Sequence, residues 1–525
     1  MAPASREANA ILCLFVLAVL FNVAAASVGW FHALSDVHGW TQAESAIRVL
    51  FVLQGGPWLA YETPVFGPPW PFPHELPVYH LIVAALAWAT GLPIEPAGRA
   101  VSLAFFYAAL GALYLLLAEL GIGRRHRLLV LTACLLSPLY VFWSRTLTVE
   151  STALFLSLAF LALAVRFLAR NRWPDGLGAL VTGAAAFAVK PPTLAAFAAL
   201  AGLCWLVHQR RRGYRVDGRL VLGALVPLAA VAIGWSWHGY TDTLKRLNPL
   251  GWAAYSSDAM VRDWVVGPPG QRSWPLTFEV LRERTLPDTV GHAAVVVAAA
   301  LGVALAGRRR TLFTLALLVP ILHYLAFTPL HLSHPYDQYA TGLFVPLAAG
   351  LAAVALLERG GARRHAAWAL MALVAIAGIA GWWERMLPLQ RQNAYRRPAW
   401  FVRLARTLAE STAPTDVLLG FGLSASPEVP YYARRRALMW PDWADPSPDG
   451  EDVELALAAL AGHRVGALFA CRTTVPGETL ERFRAHMGLA ATPALELAAG
   501  PLGRCFVFLR AGSSVPAGAT EAGPG

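Results

Sequence analysis

Charge is scarce in this chain. Asp, Glu, Lys and Arg make up 14% of its 525 residues, against about 25% in an ordinary soluble domain. Apolar residues reach 57% and the mean hydropathy is +0.49, so a large soluble enzyme is excluded in favour of a polytopic membrane protein. Cysteine is sparse too: there are five, with no CxxC and no Cys/His cluster, which excludes a zinc finger or a thiol redox motif. No internal repeat is present. The net charge of +11 would point to nucleic acid in a soluble protein. Here the arginine sits in short loops between apolar blocks and reads as membrane topology, so no nucleic-acid partner is expected.

The chain has instead recurrent apolar blocks near the ~20-residue length of a bilayer-spanning helix. Eleven spans are predicted, at 10–28, 97–120, 127–143, 150–168, 176–190, 193–208, 219–238, 290–306, 311–328, 339–357 and 365–383. Ala24-Ala25-Ala26 also fits a signal-peptidase site, and on either reading the next loop lies outside. Leu76 to Thr90 is short and begins with prolines. Treating it as a re-entrant or surface segment puts the clusters Arg124 to Arg127, Arg166 to Arg172, Arg210 to Arg219, Arg308 to Arg310 and Arg359 to Arg364 all inside, as the positive-inside rule requires. The outside then receives the first loop, Ser144 to Glu150, Lys190-Pro191-Pro192, Gly239 to Asp288, Pro329 to Tyr339 and everything after Trp383.

The first loop, Trp30 to Pro77, is the first long polar stretch and holds Asp36, Glu44, Glu62 and Glu75. Within it Ala43 to Leu53 has the spacing of an amphipathic helix on the membrane surface. After Glu384 short helical and strand patterns alternate: helices at 398–411, 453–461 and 478–486, strands at 416–421, 465–470 and 505–509. This predicts three parts: a membrane domain over 1–384, a small α/β domain over 385–511 and a disordered tail over 512–525. Cys471 and Cys505 fall in that domain and can pair if it faces an oxidising compartment; sequence does not give their distance.

Several polar residues could carry chemistry, each against a blander role. Glu44 opens the amphipathic helix, where an acid also simply stabilises the helix dipole. Glu150 begins a span, a costly place for a carboxylate unless it is used or paired, and Arg145 is the expected partner. Lys190 precedes Pro191-Pro192, so an ammonium is left at a broken helix, either snorkelling to water or meeting a phosphate. His331, His334, Asp337 and Tyr339 crowd one turn. Two His with an Asp can serve a phosphate or a divalent metal ion, with Glu75, His334 and Asp337 as candidate metal ligands, although the spacing matches no strong zinc signature.

The order of these motifs resembles that of the GT-C superfamily of membrane glycosyltransferases, in the bacterial branch similar to protein mannosyltransferases and the lipid A aminoarabinose transferase (glycosyltransferase 39/83-like). Gln42-Ala43-Glu44-Ser45 resembles the family's first-loop segment, where an aspartate normally stands at the position of Glu44; Asp36 is the possible substitute. Pro73-His74-Glu75-Leu76-Pro77-Val78-Tyr79-His80 resembles the Glu-Phe-Pro-Leu-Tyr stretch, Ser144 to Glu150 the second-loop Ser-Arg-Thr stretch, Lys190-Pro191-Pro192 the Lys-Pro pair and His334 to Tyr339 the histidine-tyrosine turn. The coverage is about Trp30 to Gly350.

The resemblance implies an α-helical polytopic GT-C fold of about eleven transmembrane helices, with juxtamembrane helices in the first outer loop and a small extracytoplasmic α/β domain. It implies inverting transfer of a sugar from a polyprenyl-phosphate or diphosphate carrier to a lipid, glycan or protein acceptor, at the outer face of a bacterial cytoplasmic membrane. Glu44 or Asp36 is then the catalytic base with Glu150 beside it, and Glu75, Arg145, Lys190, His331, His334 and Tyr339 contact substrate. A transporter or flippase of lipid-linked sugars is the second reading and predicts charges at the bilayer midplane in two symmetric halves. A non-catalytic scaffold is the third.

Overall fold

An apolar block can satisfy its backbone inside a bilayer only as a helix or a closed barrel, and every one of the eleven predicted spans carries helix. The computed structural model describes residues 3–214, 218–305, 310–391, 399–471, 475–499, 503–510 and 513. Arg308, Arg309 and, apart from Ser513, the predicted tail lie outside them. Two compact units emerge, the first made of residues 1–30, 99–237 and 261–391 and the second of 31–98, 238–260 and 392–525. The sequence boundary at 384 therefore gives way to a division in which the first loop joins the C-terminal domain.

Seven helices among the described residues are long and apolar enough to cross a bilayer: Arg6–Ser27, Ile94–Glu119, Glu150–Arg170, Pro191–Arg211, Val221–Lys245, Pro335–Arg359 and Ala362–Arg391. The first residues of Ile94–Glu119 and the last of Val221–Lys245 belong to the second unit, and all the rest to the first. Large apolar side chains stand bare along them, among them Leu20 at 60%, Leu228 at 66% and Ile376 at 68% exposure. Such faces suit lipid and not water, and the chain is a multi-pass membrane protein. The helix Phe344–Arg359 is the centre of this unit, packed on Arg124–Leu135, Ala293–Leu305 and Ala362–Gly381. A Cβ at Gly350 would lie 2.7 Å from the Cα of Val130, so the glycine permits that close crossing. The predicted span 127–143 is broken in two, Arg124–Leu135 and Pro138–Trp143, because Pro138 has no N–H to continue the ladder. The helix Gly218–Lys245 runs a further two turns beyond its predicted end at 238.

The second unit is built around a five-stranded sheet: β1 (Val417–Phe421), β2 (Ala437–Met439), β3 (Val465–Cys471), β4 (Leu495–Ala498) and β5 (Arg504–Leu509), in the order β2-β1-β3-β5-β4. β1 runs parallel to both β2 and β3, and β5 antiparallel to β3 and β4. Cys471 and Cys505 face each other across β3 and β5 and are joined as a disulfide. The open edge at β2 is covered by the first loop: Ala437 and Met439 donate their N–H to the carbonyls of Pro64 (3.0 Å) and Val65 (2.8 Å), and Gly67 returns one to Ala437 (3.1 Å). Arg436 then clamps Glu62 through both nitrogens, at 2.7 and 2.9 Å. Asn248 holds the same loop by donating to the carbonyl of Gly67 at 3.0 Å. The first-loop helix is Gly39–Leu53 and packs on Val78–Thr90 and Glu428–Ala433. Its apolar face, with Ala43, Ala46 and Ile47 at 0% exposure, is buried against these helices, where a surface helix was expected to turn that face to the membrane.

Candidate functional site

Glu44 and Arg48 are one helical turn apart, so both project from the same face of Gly39–Leu53. Arg48 is buried, and its guanidinium bridges two carboxylates: Nη2 lies 2.5 Å from Glu44 Oε1 and Nη1 2.5 Å from Glu75 Oε1. Its Nε donates to Thr63 Oγ1 at 3.1 Å. The loop that brings Glu75 here is pinned by Tyr61, whose hydroxyl donates to the carbonyl of Glu75 (2.9 Å) and accepts the N–H of His74 (2.8 Å). His80 Nε2 stands 3.5 Å from Glu75 Oε1, and His74 Nε2 4.0 Å from Glu44 Oε1.

One cation between two acids pushes their protonation apart. Burial is the main influence on Glu44 and raises its pKa above the usual 4.5, against the pull of Arg48 and with the charge of Glu75 adding to the rise. Burial would raise Glu75 as well, but Arg48 and then His80 outweigh it and hold its pKa below the usual carboxylate value. Divergent pairs of this kind mark acid and base assignments. Burial, then Arg48, keeps His74 neutral, far below the usual histidine range. Asp36 lies before the helix, where Gln42 donates to its Oδ1, so of the two candidates for the base, Asp36 and Glu44, it is Glu44 that sits on Arg48. Lys245 belongs to this unit too, with its Nζ 2.8 Å from Asp242 Oδ1 and 2.8 Å from the carbonyl of Tyr255. Tyr255 in turn meets the ring of His74 at 5.1 Å.

The first unit has its own polar cluster. The extended backbone of Lys190 (φ −157°, ψ 91°) separates the helices Trp173–Val189 and Pro191–Arg211, as the following prolines require. Its ammonium lies 2.6 Å from Glu150 Oε1 and 2.5 Å from Asp337 Oδ1. His334 Nδ1 is 3.3 Å from Asp337 Oδ2, and its ring stacks between Trp264 at 4.8 Å and Tyr336 at 5.0 Å. Tyr339 is fully buried: its hydroxyl meets Ser151 Oγ at 2.9 Å and its carbonyl accepts from Tyr140 at 2.7 Å. Glu150 Oε2 is buried and has no hydrogen-bond partner among the described residues.

Two expectations change. Lys190 is the cation on Glu150, whereas the predicted partner Arg145 donates from Nη1 to the carbonyl of Val28 at 2.7 Å. His331 is paired with a second histidine, His323, at 3.0 Å; burial, then the nearby His323, lower its pKa to about 3. No group of three or more His, Cys, Asp or Glu forms a metal site among the described residues. The donors predicted for a divalent ion do not fit one as they stand, because Glu75 is held by Arg48 and Asp337 by Lys190. Sequence reasoning missed Arg48, Lys245, His323 and Tyr336. Arg48 alone left a usable signal, its i,i+4 spacing from Glu44.

No family model matches the chain, and no curated protein matches it. Solved structures do. ArnT from Cupriavidus metallidurans bound to undecaprenyl phosphate has 14% identity and a TM-score of 0.61, over 95% of this chain and 99% of that one. The archaeal oligosaccharyltransferase AglB from Archaeoglobus fulgidus, in complex with an inhibitory peptide and a dolichol-phosphate, has 13% identity and a TM-score of 0.52, over 88% and 69%. The arabinofuranosyltransferase AftD from Mycobacteria has 16% identity and a TM-score of 0.53, over 95% of this chain and 40% of its own length.

Proposed function

The chain has the GT-C fold, and from that premise we propose that it is a glycosyltransferase moving a sugar from a polyprenyl-phosphate carrier to a hydroxyl acceptor with inversion. The observation that carries this reading is the Glu44–Arg48–Glu75 arrangement, in which a carboxylate of raised pKa is held in place by a fixed guanidinium. In the reaction the acceptor O–H gives its proton to Glu44 as its oxygen bonds to the anomeric carbon. The bond from that carbon to the phosphate oxygen breaks, and the carrier phosphate leaves with the electron pair. A carboxylate with a pKa moved toward the working pH is the better base.

The departing phosphate needs donors aimed at its oxygens. Lys190 is the candidate: an ammonium has three N–H donors, and Glu150 and Asp337 engage two. His334, beside Asp337, is the second. Glu150 Oε2, buried and without a donor among the described residues, suits a hydroxyl of the sugar. The undecaprenyl phosphate of ArnT and the dolichol-phosphate of AglB support a polyprenyl carrier here. The Cys471–Cys505 disulfide supports an oxidising compartment for the α/β domain, hence the outer face of the cytoplasmic membrane.

The test is to incubate purified protein with a panel of polyprenyl-phosphate sugars and a membrane-lipid extract as acceptor. One donor should be consumed, releasing free polyprenyl phosphate and an inverted product, and Glu44→Gln should slow this by at least about 10²-fold. Equal consumption by wild type and Glu44→Gln would sink the assignment of the base; no consumption of any donor would sink the transferase reading.

A further inference from the structure

Two buried histidines that no step above uses lie between the chain segments that meet at the Lys190 ammonium. His323, on the helix Arg310–Ala326, brings its Nε2 to 2.9 Å from the carbonyl of Pro192, and its Nδ1 to 3.0 Å from Nε2 of His331. The protons on this line can be assigned. A carbonyl only accepts, so His323 carries its proton on Nε2. In the neutral ring Nδ1 then holds a lone pair and must accept, so His331 also carries its proton on Nε2. His331 Nδ1 is buried and has no hydrogen-bond partner among the described residues, and a second proton there would add an unsatisfied donor. Both rings are thus neutral and share one tautomer, each donating in the direction of Pro192.

The ends of the line matter. Pro192 is the second residue after Lys190, in the first turn of the helix that Lys190 opens. His331 leads directly into the turn of His334 and Asp337, and its carbonyl is fixed by the guanidinium of Arg284. Asp337 closes the circuit by pairing with Lys190 at 2.5 Å. Neither of Pro191 and Pro192 has an N–H, and the bond to the Pro192 carbonyl holds this kink from outside the helix. We propose that His323 and His331 are positioning residues for Lys190, setting through Pro192 where its ammonium stands relative to Asp337. The consequence for transfer rests on the transferase reading; the placement of the ammonium does not.

The bland alternative is core packing, since His331 also stacks on Tyr324 at 4.6 Å and 11°. Two substitutions separate the roles. His331→Phe keeps the ring and loses the N–H; His331→Gln loses the ring and keeps a donor at the end of the side chain. The readout needs no substrate, because Lys190 and Lys245 are the only lysines in the chain. Purified wild-type and variant proteins are acetylated with an amine-reactive ester, and the rate at Lys190 is read by mass spectrometry against Lys245 as internal reference. His331→Phe should raise the Lys190 to Lys245 ratio by about fivefold, the size of one net hydrogen bond, and His331→Gln should stay near the wild-type ratio. A wild-type ratio in His331→Phe, or a ratio raised as much in His331→Gln, overturns the proposal, and either variant alone can do so. A protein that transfers no sugar still gives the answer.

Discussion

At the scale of single residues, the pKa of Glu44 has a definite sign of consequence. A base works only when ionised, so its raised pKa moves the acid limb of kcat/KM above the usual 4.5, and activity should fall as pH drops through that higher value. Glu44→Gln should lower kcat by at least about 10²-fold and leave no such limb in the residual rate, which a pH–rate profile reads. Lys190 is expected to act as a compact charge at a fixed place. Lys190→Met should weaken carrier binding or transfer by roughly 2.7–4 kcal/mol, the range for losing one oxyanion donor. Lys190→Arg should recover only part of this, because a planar fork does not match a site built for an ammonium between two carboxylates. Unchanged kinetics in folded Lys190→Met would leave it the role of neutralising Glu150 and Asp337.

At the scale of elements, the helical character of the apolar blocks and most of the α/β pattern were legible because hydrophobic periodicity and block length report them directly. The strands 465–470 and 505–509 were read within a residue of their observed ends. β2 was not: Ala437–Met439 is three residues long, too short for a period, and it is a strand because β1 on one side and Pro64 to Gly67 on the other complete its ladder. The site divides the same way. Glu44, Glu75, Glu150, Lys190 and Asp337 stood out as candidates at helix ends and loops, but which cation meets which carboxylate is set by tertiary packing, which sequence spacing does not report. The start of the Glu44 helix depends on one further detail. A Cβ at Gly39 would lie 2.3 Å from the carbonyl of Leu34 and 2.9 Å from Glu428 Oε1. Gly39→Ala should therefore displace this turn and cost about 1–3 kcal/mol, seen as a lower melting temperature together with reduced kcat. A variant that melts with the wild type would mean that the turn relaxes freely.

At the scale of the whole molecule, the arginine clusters and the disulfide both support the proposed orientation, with the α/β domain outside. A cysteine placed at Ser513 should react with a membrane-impermeant thiol reagent in intact spheroplasts, and one placed at Gly213 only after lysis. The opposite pattern would invert the topology and remove the proposed function with it. The disulfide adds a stability expectation. Cys471→Ser with Cys505→Ser should lower the unfolding free energy of the domain by about 2–5 kcal/mol, measured as a fall in melting temperature equal to that of wild type under reductant.

The covering of β2 by the first loop has a consequence in time. Residues 64–67 emerge from the ribosome early, whereas the strand they pair with lies at 437–439, so several hundred residues and most of the spans are made in between. Glu62 likewise waits for Arg436, and Gly67 for Asn248. Until the last quarter of the chain is delivered, the loop that carries Glu75 lacks the edge that holds it. Contacts so distant in sequence form late, so on the proposed function the nascent chain should be silent: the proposed chemistry would come only with the final domain, after the helices have been inserted among the lipids that it is proposed to act upon.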